Sequence, residues 1–161
     1  MPKAASSFIP KGFSTVTPHL ICSDAAAAID FYKRAFSAIE LMRLTAPNGK
    51  IAHARIQIGN APLMVGDQHE ACGDGSGEKP VMPPLTLNIF IEDVDALFEQ
   101  AVAAGAETVM TPTDMFWGDR YSVVKDPAGH VWAIATQKLE LTPDELHKAL
   151  EAFMAQTPPQ P

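Results

Sequence analysis

The side chains able to do chemistry fall in three short stretches of this 161-residue sequence. In KIAHARIQIG, residues 50–59, strand alternation puts His53, Arg55 and Gln57 on one face and Ala52, Ala54, Ile56 and Ile58 on the other. Such a polar stripe lines a cleft, faces a partner subunit or meets solvent. In a cleft, the planar guanidinium of Arg55 would grip a carboxylate or phosphate by paired hydrogen bonds. In TVTPHLIC, residues 15–22, Thr17, His19 and Ile21 share a face, and His19 is either a ligand-contacting or acid/base imidazole or a histidine that only packs. The third stretch, DMFWGDRYSVVKDPAGHVW, residues 114–132, sets Trp117, Gly118, Asp119, Arg120 and Tyr121 ahead of an Asp126-Pro127-Ala128-Gly129 turn. That turn predicts a hairpin joining RYSVVK to HVWAIAT, with Trp132 in the core. Trp117 and Arg120 either reach a cleft or partner subunit, or Arg120 forms a local ion pair with Asp119 that contributes little energy.

The elements that position these residues occur twice. Residues 15–22 read as a strand, with Pro18 favouring an edge or a terminus. SDAAAAIDFYKRAF follows as a helix capped by Ser23 or Asp24, with Ile29, Tyr32 and Phe36 on one apolar face. Strands at 38–45, 50–58 and 61–66 come next, separated by Pro47-Asn48-Gly49 and Gly59-Asn60 turns. The order then restarts: TPHLICSDAAAA aligns with TLNIFIEDVDAL, matching Thr17 to Thr86, His19 to Asn88, Asp24 to Asp93 and, further on, Gly49 to Gly118 at one constant offset. Asp93 caps a helix with Val94, Leu97, Phe98 and Ala101 on one face, and strands near 107–112, 119–125 and 130–136 complete the second unit. By alternation Asn88 and Phe90 take the face equivalent to that of His19, where aromatic surface and a few polar groups make a small-molecule pocket.

The predicted organisation is therefore α+β, two tandem βαβββ modules and a C-terminal helix. An N-terminal arm spans 1–13, the first module 14–66, a Gly- and Pro-rich linker 67–84, the second module 85–137, the helix 138–156 and a disordered tail 157–161. In the last helix Thr142 and Glu145 have capping-box spacing, Pro143 is at its first position, and Leu146, Leu150 and Phe153 form a stripe.

Composition narrows the partners. With 12 Lys and Arg against 19 Asp and Glu, the formal net charge is −7, which argues against nucleic acid and membrane surfaces and favours a small molecule or another protein. Cys22 and Cys72 have neither metal-ligand spacing nor a disulfide framework and read as free thiols in a reducing compartment. No signal-like or membrane-length apolar run occurs, so a cytoplasmic location is expected. The sequence holds no Gly-rich phosphate loop, nucleophile elbow or zinc-binding helix motif.

The paired units, with TPHLICSDAAAAIDFYKRAF opening the first and IEDVDALFEQAVAAGAE plus FWGDRYSVVKDPAGHVW in the second, resemble the vicinal oxygen chelate superfamily of glyoxalases, bleomycin-resistance proteins and extradiol dioxygenases. WGDRY close to DPxGHxW resembles its PhnB-like subgroup. The resemblance implies curved, cleft-lining mixed sheets, a homodimer and small-molecule sites in the clefts. Ser37 and Ser122 stand where that subgroup commonly has Gly, Asn88 where it has His, and Ala128 where it has Phe.

In metal-dependent members, each module supplies one ligand from its first strand and one from its last. Those positions correspond to His19 and Asn88, and to Leu63 or Met64 and Ala133. Without a carboxylate this set disfavours a divalent metal, and no cofactor is expected; His53 beside His19 is the minor alternative. The expected ligand-binding set is His19, His53, Arg55, Met64, Asn88, Phe90, Trp117 and Arg120, with His19 the candidate catalytic residue. The first reading is a metal-free homodimer that binds a small aromatic or anionic molecule. The second is a lyase, isomerase or dioxygenase-type enzyme using His19 with an unorthodox metal site or metal-free acid/base chemistry. A purely structural dimer is the third.

Overall fold

The structure, a computed structural model, describes residues 9–68 and 85–156. They form two compact units, residues 9–68 and residues 85–156. The first contains β1 (His19–Cys22), α1 (Ala25–Phe36), β2 (Ile39–Thr45), β3 (Ile51–Ile58) and β4 (Ala61–Asp67). The second contains β5 (Thr86–Phe90), α2 (Val94–Ala103), β6 (Glu107–Asp114), β7 (Asp119–Lys125), β8 (Val131–Gln137) and α3 (Pro143–Gln156). The α+β architecture of two tandem βαβββ modules and a C-terminal helix is as expected.

Each module is a four-stranded mixed sheet, ordered β1-β4-β3-β2 and β5-β8-β7-β6. The first strand pairs parallel to the last, and the remaining neighbours are antiparallel. A parallel pair requires a long crossover, and here the helix and the two intervening strands supply it.

The helix covers one face of its sheet. In the first module Ile29, Tyr32 and Phe36 are buried with Leu20, Cys22, Ala54, Ile56, Leu63 and Val65. In the second, Val94 and Ala101 are buried with Val124, Trp132 and Ile134, and Leu97 and Phe98 are half-buried. This burial supplies the main driving force for each unit.

The helix starts show the duplication in atomic detail. Asp24 caps α1 by accepting from the Ala27 N–H at 2.9 Å, and Asp93 caps α2 by accepting from the Ala96 N–H at 3.0 Å. A second acceptor comes from the end of the last strand. The Ala25 N–H donates to Asp67 Oδ1 at 2.7 Å, and the Val94 N–H donates to Thr136 Oγ1 at 3.0 Å. Asp67 also accepts from the Ile51 N–H through Oδ2 at 2.6 Å, so one buried carboxylate joins α1, β3 and β4.

Several local expectations change. β1 begins at His19 rather than residue 15, because Pro18 has no N–H and only its carbonyl joins the ladder, accepting from the Met64 N–H at 2.9 Å. Asp67, expected in the linker, ends β4; the rest of that linker from residue 69, with Cys72, lies outside the described residues, as do residues 1–8 of the arm and the tail 157–161. Ser37 ends α1 with φ 54°, a left-handed conformation that disfavours side chains other than Gly. The α3 capping box forms, with Glu145 Oε2 accepting from the Thr142 N–H at 2.8 Å, but its stripe is incompletely covered: Leu146 is half-buried, while Leu150 and Phe153 are exposed.

Asp67→Ala would leave the Ala25 and Ile51 N–H groups buried without acceptors, and about 2–4 kcal/mol of stability should be lost. Asp67→Asn, which keeps one acceptor, should lose less. Urea unfolding of the three proteins measures both; equal midpoints for wild type and Asp67→Ala would refute this role.

Candidate functional site

Strand register assembles the first-module site. His19 pairs with Met64, Met64 with Arg55, and Arg55 with Met42, so these four residues run across all four strands in one row. The row lies on the face opposite α1, because the alternate residues Leu20, Ala54 and Val65 are buried beneath the helix. His53, two positions before Arg55, shares this face, and its ring lies edge-on to that of His19 with centroids 5.8 Å apart. The register also settles the choice between Leu63 and Met64: Met64 faces the cleft, and Leu63 is core.

A missing side chain makes room for the imidazole. A Cβ added to Gly66 would stand 3.3 Å from His19 Nε2 and 3.3 Å from the Ala52 carbonyl oxygen. Gly66 thus leaves the space that the His19 ring uses. Partial burial of that ring, and then the nearby His53, lower the His19 pKa from its ordinary 6.5, so the imidazole is neutral at pH 7 and available as a hydrogen-bond partner or base.

Residues 9–17, the described part of the chain ahead of β1, form the wall facing the sheet. Ile9, Pro10, Phe13 and Thr17 enclose, with Met42, His53, Arg55 and Met64, an open cavity of about 900 Å³. The Arg55 guanidinium carbon lies 5.1 Å from the centre of the Phe13 ring, a cation–π contact. Arg55 has no carboxylate partner among the described residues, and its buried Nε has no acceptor. Phe13 and Met42 lie outside the set expected from the sequence. Met42 was accessible through strand alternation once its pairing to Arg55 was known, whereas the arm has no periodicity to reveal Phe13.

The second module presents a different face. Asn88 and Phe90 are exposed on the side away from α2, and the row equivalent to His19-Met64-Arg55 reads Asn88-Ala133-Val123. No cation stands where Arg55 does. Trp117 lies edge-on to Tyr121 at 5.3 Å, and its Nε1 donates to Asp119 Oδ2 at 3.0 Å. Phe116 contacts Trp117 and stacks on Phe153 of α3.

Arg120 is not brought to that face. It shares the helix side with Ser122 and Val124, and its Nε and one terminal nitrogen donate to Asp95 of α2 at 2.6 and 2.7 Å. Asp114 accepts at 3.2 Å. Asp119, the alternative partner for Arg120, instead accepts from Trp117 Nε1. Gly118 of the same motif has φ 99°, and a Cβ there would stand 2.7 Å from the Leu139 carbonyl oxygen, so WGDRY is a packing device that fastens β7 to the chain leaving β8. The following turn is also structural: buried Asp126 accepts from Trp132 Nε1 and the His130 N–H, both at 2.9 Å.

The model of the Glyoxalase/Bleomycin resistance protein/Dioxygenase superfamily matches residues 13–134. The chain belongs to this superfamily. An uncharacterized Mycobacterium bovis protein is 41% identical over 141 residues, covering 85% of this chain and 92% of its own. The Streptomyces peucetius anthracycline biosynthesis protein DnrV is 30% identical over 122 residues, covering 69% of this chain and 42% of its own. The crystal structure of TioX from Micromonospora sp. ML1 is similar with a TM-score of 0.63 and 29% identity, covering 77% of this chain and 98% of that one.

The vicinal oxygen chelate likeness implies a divalent metal, and its donor positions can be tested against the register. His19 faces a thioether at Met64, and Asn88 faces the methyl of Ala133. No group of three or more His, Cys, Asp or Glu suited to a metal occurs among the described residues. One imidazole and one amide without a carboxylate do not fit a hard divalent cation.

In an NMR titration the His19 ring should show a midpoint below 6.5, and His53→Ala should raise it without restoring it fully, since burial is the larger cause. The sign for stability follows: a depressed histidine pKa means the unfolded chain binds the proton first, so stability should fall as pH drops through 6.5, less so in His19→Asn. A His19 midpoint at or above 6.5 would contradict the assignment.

Proposed function

We propose that this protein binds a small molecule in the first-module cleft without the divalent metal of its superfamily. The observation that carries this reading is the Arg55 guanidinium, which has no carboxylate partner among the described residues and lines a cavity of about 900 Å³, a size suited to a small ligand. Arg55 and His53 supply polar contacts from the cavity wall, His19 stands behind them against His53, and Met64 supplies apolar surface. Asn88, Phe90 and Trp117 belong to the second module's own ligand face in this reading; Arg120 serves the fold. The name of DnrV ties that relative to the biosynthesis of anthracycline, a small molecule, which agrees with a ligand of this class. We also place the chain in the PhnB-like subgroup, on WGDRY beside DPxGHxW, and as a cytoplasmic homodimer, since exposed Leu150, Phe153 and Met154 on α3 offer apolar surface for a second copy. No helix among the described residues is long and apolar enough to cross a membrane.

A second reading is metal-free acid/base catalysis. Its supporting observation is the His19 ring, whose pKa is lowered and which lies 5.8 Å from that of His53 in the cavity wall.

Native mass spectrometry with elemental analysis of the dialysed protein tests the proposal. The expected result is a dimer without stoichiometric metal, carrying a small-molecule adduct that is lost in Arg55→Ala. One metal per chain that survives dialysis and disappears in His19→Ala would overturn the metal-free reading.

A further inference from the structure

The first-module cavity is charged in one sense only. Its described walls contain one guanidinium and one imidazole and no Asp or Glu, in a chain whose formal net charge is −7. A surface of that net charge repels anions at long range, so a local concentration of cationic and neutral donors selects them at short range. The nearby acids are used elsewhere: Glu40 bonds Lys33 and Arg43 on the helix side of β2.

Arg55 is the centre of this selectivity. Its contact with Phe13 uses the charge of the guanidinium and none of its N–H donors. The buried Nε has no acceptor among the described residues, and a buried donor without one is costly until an acceptor arrives. Nε and a neighbouring terminal nitrogen form the fork that matches the two oxygens of a carboxylate. Beside Arg55 the wall offers apolar, polarisable surface, the Phe13 ring on the arm and Met42 and Met64 flanking Arg55 in the row, while Ser14, Thr15 and Thr17 add neutral hydroxyl groups. Thioethers and an aromatic ring make favourable contacts with a second aromatic ring.

We propose that this cleft takes an aromatic carboxylate, with Arg55 holding the carboxylate and Phe13, Met42 and Met64 holding the ring. The inference rests on the small-molecule reading above and adds the ligand class and a role for the arm. Phe13 is half-buried and lies outside every helix and strand, so its replacement leaves both sheets intact.

The test titrates 2-naphthoate and the neutral 2-naphthylmethanol into the intact protein and follows methionine methyl signals by NMR, assigned with Met42→Leu and Met64→Leu. Naphthoate should shift both signals and bind about tenfold more tightly than naphthylmethanol. Arg55→Lys, which keeps the charge but loses the fork, should weaken naphthoate about tenfold and leave naphthylmethanol within about twofold. Phe13→Ala should weaken both compounds about fivefold. Equal affinity for the two compounds overturns the carboxylate assignment, and an unchanged affinity in Phe13→Ala overturns the role of the arm; in both cases binding in the cleft still stands. If neither compound shifts Met42 or Met64, the ligand class is wrong, while the metal-free binding reading is judged separately by the metal content and adduct of the purified protein.

Discussion

A buried acceptor at the end of the last strand is the constraint on which each module depends. A parallel β1–β4 pair has no tight turn to set its register, so something must tie the helix start to the far end of the sheet. Asp67 does so in the first module, accepting from the first residue of α1 and from the first residue of β3. Thr136 makes the corresponding bond to α2 in the second. Once Cys22 is level with Asp67, His19 must be level with Met64, and the cleft-facing row follows from strand geometry. A slip of one residue in β1 would turn His19 from the cleft face to the helix side.

The duplication kept the frame and let the faces diverge. Both modules cap their helices with an aspartate and reinforce the cap from the last strand, because the orphan N–H groups of a helix start require acceptors whatever the sheet binds. The opposite faces carry no such requirement. One has His19, His53 and Arg55; the other has Asn88, Val123 and Ala133 in the comparable row, with exposed Phe90 and the Trp117-Tyr121 pair nearby. Arg120, the most conspicuous cation of the second module, is committed to Asp95 and Asp114, which hold it well above its ordinary pKa and fasten β7 to α2. A charged residue engaged on both edges of its guanidinium has few donors left for a ligand.

Much of this was legible from residue pattern. Alternation placed His53 and Arg55 together, the repeat located both modules, Asp24 and Asp93 marked the helix starts, and Thr142 with Glu145 marked the last one. These features depend on neighbours close in sequence, where side-chain direction follows from local geometry. Three things depended on contacts between distant segments. Asp67 looked like linker because its charge and the Gly-rich chain after it outweigh the apolar strand before it, and its burial is intelligible only through the two N–H groups it serves. Arg120 looked like a ligand contact because its partner Asp95 lies in a different element. Phe13 lies in an aperiodic arm that alternation cannot orient.

By itself, therefore, the sequence determined the element order, the duplication and the absence of a carboxylate at the strand positions where the superfamily would place one, since each is a property of local pattern or residue identity. Only the tertiary structure decided the register that levels His19 with Met64, the helix-side commitment of Arg120 and the approach of Phe13 to Arg55. Pairing between strands and packing across a cleft join residues whose separation along the chain carries no local signal.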